Sequence, residues 1–113
     1  MSLKDKIKAA SDIKKELVKV PEWDAEIEVR TMTGVQRALM MNQSIDSDGK
    51  ILYEKMYPDM VIACSYDPET GKLLFDESDK GWLMEKSCSA IELIATKAMR
   101  LSGLTGIEDA EKN

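Results

Sequence analysis

VKVPEWDAEIEVRTMTG, residues 18–34, holds two short alternating runs around a Pro-Glu-Trp-Asp turn, then a Thr-Gly pair that opens a helix. In an extended chain Val18 and Val20 point to one side, as do Ile27 and Val29. Lys19, Glu26 and Glu28 point to the other. Pairing Val18 with Val29 and Val20 with Ile27 sets Lys19 against Glu28, with unlike charges outside and four β-branched residues inside. The pattern predicts a β-hairpin over residues 16–30. A two-stranded ribbon is marginal alone and leaves both edges unpaired, so it must lie on this chain's helices or on a neighbouring copy. Trp23, at the tip, has two readings: a lid folded over the core, or an exposed anchor for a partner. Pro21 and Asp24 fix the turn without the ring and do not choose between them.

After the hairpin the period changes from two to that of a helix. Thr33 and Gln36 have the spacing of a capping box, and the helix they open runs through Arg37, Leu39 and Met40 before stopping at "SIDSDGK". A further helical pattern starts near Lys50 with Ile51, Met56, Met60, Val61 and Cys64. Pro58 lacks the donor a helix needs, which predicts a kink or break around Tyr57. "DPETGK", residues 67–72, is a turn with Gly71 suited to positive φ, leading into an extended Leu73-Leu74-Phe75. Asp76 caps a short helix through Trp82 and Met84. From Ser87 onward Ile91, Ile94, Ala95, Ala98 and Leu101 form one stripe, which Gly103 ends as a left-handed cap. "TGIEDAEKN" reads as a frayed polar turn of helix. At the other end Ser2 and Asp5 mark a short helix start, with Leu3, Ile7 and Ala10 on one face.

The fold class is therefore α+β, a mostly helical single domain with an N-terminal β-hairpin. Residues 1–15 form a basic leader, 16–30 the hairpin, 33–103 a helical body and 104–113 a polar tail. At 113 residues there is one core, and with aromatics at 5% and eight methionines that core is aliphatic, with Met filling gaps. No run is long enough to span a membrane, and the first residues lack the apolar stretch of a signal peptide, which places the protein in the cytoplasm.

The formal net charge is −5, which opposes nonspecific binding to a phosphate backbone. Residues 1–19 carry six lysines against Asp5, Asp12 and Glu16, a local +3, so the remainder carries −8. The leader reads as a solvated amphipathic helix, with two alternatives. One is a nucleic-acid arm, a poor one without arginine or aromatics. The other is head-to-tail self-association, the basic leader of one copy meeting the acidic face of another.

Catalytic chemistry finds few residues here. The sequence has no histidine, and its two cysteines, Cys64 and Cys88, lack metal-ligand spacing and sit among apolar neighbours, so both read as buried thiols in a reducing compartment. Ser44, Asp46, Asp48 and Gly49 imitate the start of a calcium loop. The twelfth position, which must supply a bidentate carboxylate, is Lys55, so a plain Asp-Gly turn is the better reading. "DESD" at residues 76–79 is explained by capping and the helix dipole. No cofactor is expected. The adjacent Met40 and Met41 cannot both be fully buried on one helix, which makes one of them a candidate for an adaptable contact surface. The expected partner-binding residues are Trp23, Met40 and Met41, with Lys4 and Lys8 of the leader.

The order of these motifs carries a resemblance. A lysine-rich leader precedes "VKVPEWDAEIEVRTMTGVQR"; "YDPETGKLLFDESD", "LMEKSCSAIELI" and "AMRLSGLTGIEDAEKN" follow. Over nearly the whole chain this resembles the XkdN-like tail assembly chaperones of tailed phages and prophages. Pro58 and "MNQSIDSDGKILYE" depart from the family's pattern. The resemblance implies a non-catalytic assembly factor of the host cytoplasm, absent from the finished virion. Such a factor binds the tape measure protein, keeps it soluble and recruits major tail protein around it. Homo-oligomers, as rings or open stacks, suit a protein that coats a long partner. The resemblance also implies a longer product made by ribosomal slippage near the end of the gene, and Glu111-Lys112-Asn113 can be encoded by a slippery A-AAA-AAC. Set against this reading is one from another class, a small acidic regulator that occupies a nucleic-acid-binding protein by charge mimicry. An enzyme using only carboxylates and a metal comes third.

Overall fold

A computed structural model of the chain describes residues 2–104; of the expected polar tail only Leu104 is described, and it is buried in the core, while residues 105–113 and the slippage motif lie outside the described residues. In chain order the elements are α1 (Leu3–Ala9), β1 (Lys15–Val20), β2 (Ala25–Arg30), α2 (Gly34–Ser44), α3 (Tyr53–Cys64), β3 (Ser65–Tyr66), α4 (Lys80–Leu83) and α5 (Cys88–Leu101). The strands form one antiparallel sheet in the order β1-β2-β3. The sheet lies on α5, which also packs on α3, and α2 packs on α3 in turn. The expected α+β architecture is the one observed.

The hairpin forms, but in a different register. Val18 faces Ile27, Lys19 faces Glu26 and Val20 faces Ala25, two residues away from the pairing expected. The cause is the loop. Pro21–Trp23 makes a single 3-10 turn, and Asp24 takes up the left-handed conformation at φ 48° and ψ 48° with its N–H donating to the Pro21 carbonyl. Four residues thus close a loop that the expected register would have left at six. Because side chains alternate with period two, a two-residue slip keeps every residue on its face. Val18, Val20, Ile27 and Val29 are all buried, as the alternation requires.

The third strand was not anticipated. Ser65 and Tyr66 leave the end of α3 and pair with Val29 and Glu28, which covers one edge of the hairpin and leaves β1 as the free edge. Arg30 fixes this corner: its guanidinium lies 3.9 Å from the centre of the Tyr66 ring, and its Nε donates to Glu28 at 2.6 Å. A stacked, half-buried arginine of this kind holds its neighbours by packing as well as charge.

The capping signals were read correctly. The Thr33 hydroxyl accepts from the Gln36 N–H at 3.2 Å while the Gln36 side chain accepts from the Thr33 N–H at 2.9 Å. Asp76 and Asp79 repeat the arrangement at the 3-10 turn that leads into α4. The Ser78 hydroxyl and N–H, both donating to Asp76, hold its carboxyl below the ordinary range. Gly103 has φ 71°, and the Leu104 N–H returns to the Met99 carbonyl at 2.8 Å, which closes α5 as expected.

Pro58 is where the expectation of a break fails. α3 continues through it from Tyr53 to Cys64, with Pro58 itself buried. The carbonyl deprived of a donor is that of Glu54, in the exposed first turn, where solvent can satisfy it. The helix also begins three residues later than the apolar pattern suggested. Ile51 instead pairs with Ile45 across the Asp46–Gly49 turn, in which the Asp46 carboxylate accepts from the N–H groups of Asp48 and Lys50.

Candidate interaction site

Two features of the surface stand out, one basic and one acidic. The basic feature is the leader. The Ser2 hydroxyl caps α1 by accepting from the Asp5 N–H at 3.1 Å, and no residue of the helix is buried. Leu3 and Ile7, one helical turn apart, remain 73% and 65% exposed. Lys4 and Lys8 are also one turn apart and flank that apolar stripe on the same side.

The acidic feature is a groove of about 310 Å³ between α2, α3 and the segment that crosses from β3 to α4. Leu39, Ile62, Ala63, Leu73 and Phe75 supply its apolar floor and walls, and Asp59, Asp76 and Glu77 its charge, with no basic side chain among the lining residues. Its volume is near the lower limit of small-molecule pockets, about 300 Å³, and suits a few protruding side chains better than an enclosed ligand. Leu73 is exposed because the expected extended run makes only one bridge, to Tyr66, and Leu74 donates only to the Ser65 carbonyl.

Asp59 is the unusual residue of this groove. It lies on α3 and is 7% exposed. One oxygen accepts from Lys80 Nζ of α4 at 2.7 Å, whereas the other, Oδ2, is buried and accepts no hydrogen bond among the described residues. A buried carboxylate with half its acceptor capacity unfilled is costly unless a donor reaches it.

The residues singled out from the sequence are not gathered into one patch. Trp23 is half-buried against the core beside the start of α5, where Glu22 accepts from the Ser89 hydroxyl at 2.8 Å. Met40 is buried at 3% exposure, and Met41 is half-buried. Both line a small apolar gap with Met99 and Leu104, toward the other end of α5. Ser89 and Met99 are ten residues apart, about 15 Å along a helix, so Trp23 and the methionines do not share a surface. Trp23 packs partly against the core and keeps part of its surface in solvent, and Met40, though buried, also lines the acidic groove. Lys4 and Lys8 are exposed. The groove itself was missed, although its signal was present: three consecutive apolar residues after a glycine turn, with too little strand around them to cover both faces.

The two thiols differ. Burial, as expected, pushes the Cys64 thiol up to about 12, so it stays protonated and unreactive; Cys88, expected to be buried as well, is exposed, because it is the first residue of α5 and lies ahead of the buried stripe that begins at Ala90. One equivalent of a thiol reagent is expected to react with the folded protein at pH 8 and a second only in denaturant; two fast equivalents without denaturant would contradict this burial. Among the described residues no three His, Cys, Asp or Glu side chains are placed to hold a metal ion, and no helix is long and apolar enough to cross a membrane.

The three-stranded antiparallel sheet on α5, with two further helices behind it, has a counterpart among solved structures. The chain is similar to the tail assembly chaperone of bacteriophage HK97, with a TM-score of 0.57 and 16% sequence identity. The likeness covers 88% of this chain and 98% of that one. No protein-family model and no curated protein matches the sequence.

Proposed function

We propose that this chain is a phage or prophage tail assembly chaperone of the XkdN-like kind. It binds the tape measure protein, keeps it soluble and helps recruit major tail protein, acts in the host cytoplasm, and is not retained in the finished virion. The observation that carries the reading is the extent of the fold likeness. Nearly all of the HK97 chaperone has a counterpart here, so little of that fold is lost or replaced. The motif order of the sequence supports it independently. The exposed apolar groove and the unburied leader helix give a chaperone surfaces with which to hold a partner.

Co-expression with the tape measure gene of the same genome tests the proposal. The tape measure protein is expected in the soluble fraction, co-purifying with this chain, and in the pellet without it. Equal solubility in both cases would overturn the reading. A salt titration of the complex separates it from charge mimicry by an acidic regulator, for which the −8 beyond residue 19 is the support. Mimicry weakens steeply as salt rises, whereas contacts centred on apolar side chains do not.

A further inference from the structure

We propose that the free edge of β1 receives an extended segment of a partner protein as a further strand, one that sets acidic side chains against Lys15 and Lys19 and an apolar side chain against Leu17. The edge belongs to the sheet whatever the chain's role, so this docking does not rest on the chaperone reading.

The hydrogen-bond pattern defines what the edge offers. The Thr31 N–H donates to the Lys14 carbonyl at 2.9 Å, so by the alternation of an antiparallel ladder Lys14, Glu16, Val18 and Val20 turn their backbone groups toward β2. Lys15, Leu17 and Lys19 turn theirs outward, along the side of the sheet that β3 does not occupy. Their side chains stand on the face opposite the buried Val18 and Val20, and all are exposed. Free backbone donors and acceptors thus run beside a single row of accessible side chains. An added strand is held by the first and read by the second.

Charge chooses the occupant. Lysines on an edge strand discourage pairing with a further copy. A β1–β1 pair centred on Leu17 sets each Lys15 against a Lys19, which opposes a second copy of this chain. Within the sheet the two lysines are left unanswered. Lys15 faces Arg30, a like charge whose own partner is Glu28, and among the described residues neither Lys15 nor Lys19 makes an ion pair. Carboxylates on an incoming strand supply the missing charge at cross-strand distance. Glu26, opposite Lys19 on β2, lies two strand spacings from that strand, about 10 Å, with the lysine between them, so its repulsion is weak. Glu16 points to the other face, where it accepts from Lys97 at 2.9 Å. Leu17, 56% exposed between the lysines, is covered when an apolar side chain lies opposite.

Capped peptides added to the whole chain test this. The acidic probe is Thr-Glu-Thr-Val-Thr-Glu-Thr, whose symmetric pattern matches Lys15, Leu17 and Lys19 in either strand direction; the basic probe has lysine in place of both glutamates. In NMR spectra the acidic probe is expected to shift the amide signals of Lys15, Leu17 and Lys19. It should also slow hydrogen exchange at those amides, which in the free protein exchange faster than Glu16, Val18 and Val20. Its affinity should exceed that of the basic probe by about tenfold, because two cross-strand charge pairs change sign between them. Lys15→Glu combined with Lys19→Glu should invert the preference. Leu17→Pro removes an outward N–H that the hairpin does not use, and should abolish binding of both probes with circular dichroism unchanged. Equal affinities for the two probes, an unchanged preference in the double variant, or shifts confined to the groove between α2 and α3 would each overturn the proposal. So would slow exchange of the outward amides in a self-associated chain without peptide, which would assign the edge to a second copy.

Discussion

Replacing Ile94 by alanine is expected to destabilise the protein by about 3 kcal/mol. Ile94 is 0% exposed and lies near the middle of α5, the helix that packs on both the hairpin and α3. No neighbouring element can collapse into the space without parting from another, so most of the cavity should persist and its cost add to the lost transfer free energy. In a small domain whose whole stability is on the order of 5–15 kcal/mol, this is a large fraction. Urea unfolding should show a lower midpoint with an unchanged slope. Leu93→Ala is the control: Leu93 is 40% exposed, and a shift within about 0.5 kcal/mol is expected. Equal shifts for the two variants would mean that α5 does not present the face described.

Lys80→Met is expected to cost about 2 kcal/mol, although it exchanges one flexible side chain for another of similar reach. The cost lies in what remains. Among the described residues Asp59 is buried with Lys80 alone supplying a donor, and removing the ammonium strands a carboxylate already half unsatisfied. The figure stays below that of a fully buried pair because the Lys80 side chain is 35% exposed, and solvent screens part of the interaction. Adding Asp59→Asn to Lys80→Met should recover part of the loss, since a neutral amide is cheaper to bury than an unpaired charge. Chemical unfolding of both single variants and the double gives the coupling. Single losses that simply add would show that the two side chains do not depend on each other.

Most of the fold was legible because its determinants are local. The alternation of Val18, Val20, Ile27 and Val29, the Thr33–Gln36 box, the Asp76 cap and the α5 stripe ending at Gly103 each act within a few residues. What escaped depends on contacts distant in sequence or on loop geometry. The register turned on the left-handed Asp24, because alternation alone does not distinguish pairings two residues apart. The two-residue β3 has no periodicity to detect and exists because β2 offers it an edge. Pro58 predicts a kink or break from its missing donor alone, and whether the helix continues depends on the surroundings of the Glu54 carbonyl, which the sequence does not give. The groove needed three elements brought together, so Asp76 and Glu77 read as capping residues and Asp59 carried no signal. The leader was the exception. Its lysines and its apolar stripe were visible from the start, and the structure leaves both exposed.

That leader divides the chain into parts under different selection. No residue from 2 to 13 is buried, so substitutions there cost the folded body little. Whatever constrains those positions must act through the surfaces they touch. The buried positions of the hairpin, α3 and α5 answer instead to packing and tolerate mainly exchanges that conserve volume. Over time the leader can drift to match a changing partner while the body stays recognisable by shape, and a mutational scan should show that divide near residue 15.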